Sequence, residues 1–335
     1  MMSAGAPATA VRAERETGPY RLFDPLKVRA PLGEVLTLYP LGFPVEIAAN
    51  RREVLQAAEQ SWRAYPKLFE EPPYRVRVFV EGKAPATGPP AYRQQGHLFV
   101  VACDAANFAV SDATRRLAAC WISRGALARP EWFRSCLLEA VVFAGLTQLH
   151  LTPLHAACVA RNGRGILLCG PAGAGKSTLA YACVRQGWTY LADESPLLVR
   201  DREDRLVVGK PGSLKLALEA ARLFPELSDR TPEPDGGNGQ PAILVSTAGF
   251  ETAFSVQADL VVLLERADEA AQLSPVEPGA ALAQLLAEIP FFGEEVYAEQ
   301  KRSLERLLAS GAWRLRYRSP DEAVQQLHKL TEGGV

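Results

Sequence analysis

Apolar and polar positions change period several times along the chain, and each change marks an element. Val35–Tyr39 and Pro44–Ala48 read as short strands, and Arg51–Tyr65 carries its apolar residues at helical spacing. Tyr74–Glu81, YRVRVFVE, alternates strictly and predicts a strand with one buried face. Lys83–Gly96 is interrupted by Pro and Gly and predicts a loop, and Leu98–Cys103 predicts another strand. Pro130–Gln148 predicts a helix, with Pro130 suited to its first turn. This half reads as α+β, without a catalytic constellation and without an internal repeat.

From Leu151 the pattern differs. Ala156–Val159 and Gly165–Cys169 are short apolar runs around Asn162–Gly163, a hairpin signal. A glycine-rich stretch leads into a predicted helix, Ser177–Arg185, and then a strand, Trp188–Ala192. Strand, helix and strand in so short a span predict a βαβ unit with parallel strands. Ser228–Gln240 is polar and rich in Gly and Pro, and reads equally as a lid or an ordinary surface loop. A strand at Ala258–Leu264, helices at Ala280–Glu288 and Glu294–Ala309, a strand at Trp313–Arg318 and a helix from Pro320 complete the reading. The expected organisation is a disordered leader over 1–19, a smaller α+β domain over 20–150 and an α/β domain over 151–335.

Composition narrows the partners. The chain has 335 residues, 48% hydrophobic and 22% charged, which suits two ordinary globular domains. A net charge of -1 supplies no broad basic field, so nucleic acid is not expected as a partner. No apolar run reaches membrane-span length, and the first residues lack the apolar core of a secretory signal, so a cytoplasmic protein with no membrane partner is expected. The six cysteines have no CxxC spacing and are expected to be buried free thiols. A homo-oligomer is compatible with all of this.

The chemistry starts at GPAGAGKS, a full match to G-x-x-x-x-G-K-[ST]. Glycines at 170, 173 and 175 let the backbone turn tightly and bring N–H groups against phosphate oxygens, and the following helix offers its positive end to the same anion. The expected cradle for ATP is Gly170, Pro171, Ala172, Gly173, Ala174, Gly175, Lys176, Ser177 and Thr178. Lys176 is placed for the outer phosphates, and the Ser177 hydroxyl for Mg²⁺. TYLADE then ends a strand in Asp193 and Glu194, with Asp193 17 residues after Lys176, room for one helix and one strand. Both acids are therefore expected at the carboxyl edge of the sheet, where ligands bind. One can help hold Mg²⁺, and the other can take a proton from an attacking hydroxyl. Counted back across the hairpin with Arg161 opposite Gly165, His155 falls opposite Pro171, where a neutral imidazole could orient Asp193 or contact a phosphate.

These residues resemble a family. LHAACVARNGRGILLCGPAGAGKSTLAYACVRQGWTYLADE is similar to the core of the HPr kinase/phosphorylase family, with its His-led strand, hairpin, phosphate loop, helix, glycine and acidic pair. Pro211–Phe224 and Ala258–Phe291 resemble later parts of HPr kinase-related proteins, and YRLFDPLKV near the N-terminus resembles leaders of such proteins in peptide-modification systems. The resemblance implies an α/β P-loop domain of the HPr kinase/phosphoenolpyruvate-carboxykinase type and phosphoryl transfer from ATP to a serine hydroxyl of a protein or peptide. It implies Asp193 as acid/base, Lys176 as stabiliser of the transferred group, Ser177 and Glu194 as Mg²⁺ ligands, and His155 as assistant to Asp193. The chain departs from the family in having Asp-Glu for the usual Asp-Asp, and LKLALEAARLF where an Arg-Gly-Leu-Gly signature is expected. The second departure points to a divergent relative with an acceptor other than HPr, and leaves open whether a reverse phosphorylase reaction exists. The alternatives are a nucleotide-sensing module without catalysis and a small-molecule kinase. Two further features stand beside the site. Arg314, Arg316 and Arg318 share one strand face, as a phosphate grip or simply an exposed cationic face, and Arg266 falls near a sheet edge within reach of a γ-phosphate.

Overall fold

The structure, a computed structural model, describes residues 31–83, 88–234 and 241–333. The expected leader, the YRLFDPLKV segment and part of the loop at 228–240 lie outside the described residues. Leu32–Val335 form one compact unit.

The first half is a mixed seven-stranded sheet with helices packed on it. An antiparallel pair, β1 (Glu34–Leu38) and β2 (Val45–Ala49), leads into α1 (Arg52–Trp62) and β3 (Tyr74–Val80). The loop expected up to Gly96 ends in a strand, β4 (Ala91–Gln95), paired antiparallel to β5 (Leu98–Ala102), with β6 (Phe108–Asp112) and β7 (Leu117–Ile122) following. The spatial order is β1-β2-β3-β7-β6-β5-β4, parallel at β2/β3 and β3/β7. The helix expected from Pro130 is α3 (Pro130–Phe133) and α4 (Glu139–His150), joined by a π-helical turn at Arg134–Leu138 and preceded by a short α2 (Arg124–Leu127). Tyr74, Val76 and Val78 of β3 and Leu137, Val141 and Leu146 share one core. That core continues into Leu151, Val199 and Val208, so the two halves of the chain are packed through a common apolar cluster.

The second half begins with β8 (Leu151–Pro153), the hairpin β9 (Ala156–Arg161) and β10 (Arg164–Cys169), then α5 (Lys176–Arg185) and β11 (Thr189–Ala192). Short strands β12 (Leu197–Val199), β13 (Leu206–Val208) and β14 (Ser213–Ala217) follow, with α6 (Ala220–Leu223), β15 (Glu233–Pro234) and β16 (Pro241–Ser246). The long β17 (Ser255–Arg266), β18 (Gln272–Val276), α7 (Pro278–Leu286), α8 (Glu294–Leu308), β19 (Ala312–Tyr317) and α9 (Pro320–Thr331) complete it. The central order is β11-β9-β10-β17, with β17 parallel to both β10 and β19. Alternate residues of the central strands serve two cores. Val159, Ile166, Leu168 and Val262 pack with α5 and α9, whereas Cys158, Leu167, Val261 and Leu263 pack with α7 and α8. A sheet covered on both faces explains why these strands read as unbroken apolar runs. The architecture is mixed α/β.

Two expectations change in detail. β10 and β11 run in the same direction, as a βαβ unit requires, but β9 lies between them and is antiparallel to both. The hairpin turn is the two residues Asn162 and Gly163, at φ 52 and 77, and it pairs Arg161 with Arg164 rather than with Gly165. Both turn residues need positive φ in this tight connection, which is why Asn-Gly occurs there. The shorter turn moves the register by one residue, so extending the ladder past Ala156–Cys169 brings His155 level with Gly170, not Pro171.

Candidate functional site

The site grows from the carboxyl end of β10. After Cys169 the chain passes through Gly170, Gly173 and Gly175, at φ 153, 83 and 93, and Gly175 is the residue before the first turn of α5. A β-carbon on Gly175 would lie 2.8 Å from an Arg266 nitrogen and closer still to the Tyr317 hydroxyl, so both its dihedral and its surroundings demand glycine. Tyr317, fully buried at the end of β19, donates its hydroxyl to the Ala174 carbonyl at 2.9 Å. The Arg266 guanidinium, at the end of β17, sits 4.6 Å from the Tyr317 ring centroid. Two parallel strands thus hold the loop from below, while Pro171, Ala172 and Gly173 stay exposed. Ser177 and Thr178 lie half-buried in the first turn of α5.

Lys176 is buried. Its Nζ donates to the Gly170 carbonyl at 2.7 Å and the Pro171 carbonyl at 3.1 Å, and stands 2.9 Å from His155 Nε2. An ammonium has three protons and no acceptor, so the imidazole nitrogen facing it accepts. Burial holds the Lys176 pKa below the ordinary ammonium value.

Asp193 directly follows β11 and is 8% exposed. Its Oδ1 accepts from the Tyr190 hydroxyl at 3.1 Å, and its Oδ2 accepts from the Lys215 backbone N–H of β14 at 2.7 Å. Burial raises its pKa from the usual carboxyl range to about 6, opposed by the Lys215 N–H and reinforced by the charge of Glu194. Glu194 is the next residue but lives in water, its side chain 58% exposed and 3.5 Å from Lys215 Nζ. Two neighbouring carboxyls therefore have different jobs open to them: Asp193 is poised to exchange a proton near neutrality, and Glu194 is available as a charged oxygen ligand.

The structure brings His155 onto Lys176; the hydrogen bonds that the described residues make to Asp193 come from Tyr190 and Lys215 instead. Tyr190, Tyr317 and the Lys215 main chain belong to the site and were not singled out from sequence. Tyr190 lies three residues before Asp193 in TYLADE, a spacing that carries no signal in a strand. Arg314 and Arg316 face Glu265 at 3.7 and 3.1 Å, and Arg318 faces Glu322 at 3.4 Å, so that row is an ion-paired surface. All six cysteines are free thiols, four buried and two half-buried, and burial pushes Cys103 up to about 11 and Cys169 up to about 12. No helix of the described residues is long and apolar enough to cross a membrane.

Backbone N–H groups at a helix start, a lysine, hydroxyls and a carboxyl titrating near neutrality form a set that can hold a polyphosphate and deprotonate an alcohol. The hard oxygens of Ser177 and Glu194 are of the kind Mg²⁺ takes together with phosphate oxygens.

Comparisons with known proteins give a family match and a structural likeness. The model of the SynChlorMet cassette protein ScmC family matches residues 110–211, less than half the chain but including both Gly170–Ser177 and Asp193. Among solved structures the chain is similar to the HPr(Ser) kinase/phosphatase from Coxiella burnetii, at 13% identity over 54% of this chain and 97% of that one, with a TM-score of 0.30. No curated protein matches the chain.

Proposed function

We propose that this protein is an ATP-dependent kinase of P-loop type that transfers the γ-phosphoryl group to a hydroxyl, that of a serine in a protein or peptide. The observation that carries the reading is the pairing of a three-glycine, positive-φ loop at the start of α5 with a buried carboxyl of pKa about 6 directly after β11, the strand α5 leads into.

ATP is the donor substrate. The loop N–H groups and the α5 terminus bind its phosphates, and Lys176 exchanges its loop carbonyls for phosphate oxygens as charge builds on the transferred group. Ser177 and Glu194 would hold Mg²⁺ with the phosphates, and the ion would supply neutralisation of phosphate charge. The acceptor oxygen forms a bond to the γ-phosphorus as the bond to the bridging oxygen breaks. The acceptor's proton passes to an Asp193 oxygen, and ADP leaves with the bridging oxygen. Tyr190 and the Lys215 N–H fix the carboxyl so that its orientation does not have to be found during the reaction. His155 sets the position of the Lys176 ammonium rather than that of Asp193. Arg266, beside Gly175, adds a cation at the mouth of the loop.

Incubation with labelled ATP, Mg²⁺ and serine peptides tests the proposal. Phosphoserine is the expected product, and ATP binding without any transfer would leave a nucleotide sensor in its place.

A further inference from the structure

We infer that the acceptor enters a cavity of about 460 Å³ that opens on Asp193, that the group it takes there is a hydroxyl flanked by bulky apolar side chains, and that α4 of the first half reads those side chains. The identity of the reacting group rests on the phosphotransfer reading; the occupancy and chemistry of the cavity do not.

The cavity has two unlike sides. Asp193 and Ser195, from the turn after β11, line one. Leu41, Phe143 and Thr147, all from the half of the chain that carries no catalytic group, line another. Pro153 and Leu197 extend the apolar wall. Phe143 is backed edge-on by Trp62 at 6.4 Å, and Trp62 is fully buried, so the ring is fixed in place. Leu41 is a leucine in the left-handed region, φ 55, and only 2% exposed. Such a conformation is costly for a side chain of this size, and it persists because the surrounding core over-determines it. The core that holds Leu41 also contains Leu151 and Val199, partners on the adjacent strands β8 and β12. The wall is therefore preformed.

The size and lining set the class of occupant. A volume of about 460 Å³ lies within the ordinary range for small-ligand pockets, roughly 300–1,000 Å³. It accommodates a short flexible segment and no folded surface. Apolar walls beside the buried Asp193 carboxyl favour an apolar body with a single hydroxyl: an acidic flank would lose its water against Phe143 and Leu41, would meet Glu194 on the same lining, and would find Lys210 and Lys215 already 3.3 Å from Glu139 and 3.5 Å from Glu194. Lys210, whose ammonium lies 6.0 Å from the Phe143 centroid and 3.3 Å from Glu139, sits on the cavity's lining with Lys215 and keeps that side wet. The occupant to which this commits is a peptide segment with serine between large aliphatic residues.

Two probes test it: N-acetyl-Leu-Ser-Leu-amide and N-acetyl-Asp-Ser-Asp-amide. Saturation-transfer NMR on the full chain should show transfer to the leucine methyls of the first, with and without ATP. Phe143→Asp should cut that signal at least fivefold, Phe143→Leu should restore it, and Glu265→Gln, in the ion-paired arginine face, should leave it unchanged. Ser195 is exposed, so Ser195→Trp blocks the cavity without entering the core and guards against a folding defect in Phe143→Asp. With ATP and Mg²⁺, the apolar peptide should be phosphorylated at least about tenfold faster, the scale expected for an apolar pocket contact. Absence of the methyl signal, equal rates for the two peptides, or a signal indifferent to both Phe143→Asp and Ser195→Trp would overturn the inference. A methyl signal blocked by both variants but with no phosphoserine would support the occupancy and instead overturn the phosphotransfer reading.

Discussion

Two buried cations in this molecule use the same ligands to opposite ends. Arg200, just past β12, donates to the carbonyls of Thr147, Gln148 and Leu151 at 2.8, 2.6 and 2.7 Å, and its Nε stands 3.2 Å from Glu299. Those carbonyls end α4 and begin β8, so Arg200 closes a helix terminus and carries its own counter-ion. Lys176 also rests on main-chain carbonyls, but they belong to a glycine loop whose tip is exposed, and its third acceptor is an imidazole. Around Arg200 the guanidinium is held by fixed main-chain carbonyls, and the seam between the halves is locked. Around Lys176 the charge is held by acceptors that a ligand can replace. The difference teaches where to look for chemistry: a buried charge satisfied by rigid, terminal carbonyls and a carboxylate is structure, and one satisfied by a loop's own backbone is a site in waiting.

Removing each cation should separate these roles. Arg200→Met leaves Glu299 and three carbonyls without their donor and should cost about 3–5 kcal/mol of stability, measured by urea denaturation. The per-molecule rate of the folded fraction should hardly change. Lys176→Met should do the reverse. Phosphoryl transfer should fall about 10²–10³-fold, the scale for losing one preorganised donor, with stability within about 1 kcal/mol of the parent. If Lys176→Met unfolds the protein as readily as Arg200→Met does, the contrast fails.

Asp193 sharpens the contrast through pH. Its folded pKa is raised to about 6, above the value of 3.8 for a free carboxyl. A raised pKa means the folded state keeps its proton more tightly, so the stabilising contribution is complete below about pH 3.8 and is lost as pH rises through 6. Asp193→Asn abolishes that titration. The variant should therefore be more stable than the parent by about 1–3 kcal/mol at pH 8 and indistinguishable from it near pH 3.5, as followed by denaturant titration at both pH values. In the parent, kcat/KM should rise tenfold per pH unit up to about 6 and then level, as a base must be ionised to act. The smallest effect is expected at the ion-paired arginine face: Glu265→Gln should change stability by at most about 1 kcal/mol and leave transfer intact. A large activity loss there would return the Arg314–Arg316 row to the site.

The glycine loop, the helix behind it and the Asp193 strand could all be read from sequence, because each is a local pattern with a physical reason. What escaped was non-local. β6 and β7 were not anticipated, since LAACWI is buried on nearly every residue and shows no alternation. Strands of three residues such as β12 and β13 are shorter than any periodic window. The position of β9 between β10 and β11 depends on sheet order, which spacing does not encode. His155 was placed one residue off because the turn is two residues long rather than three, and it meets Lys176 across the hairpin. The Lys215 N–H is invisible in sequence, since every residue but proline has one.

In the proposed reaction Asp193 accepts the acceptor's proton while the loop at Gly170–Ser177 holds ATP. The most direct test measures transfer from labelled ATP to N-acetyl-Leu-Ser-Leu-amide at pH 7.5 by the parent and by Asp193→Asn, with ATP affinity determined for both by calorimetry. The expected result is phosphoserine from the parent, a loss of about 10²–10⁴-fold in the variant, and ATP affinities within twofold of each other. Equal transfer by the two proteins, or an ATP affinity that collapses with the carboxyl, would contradict it.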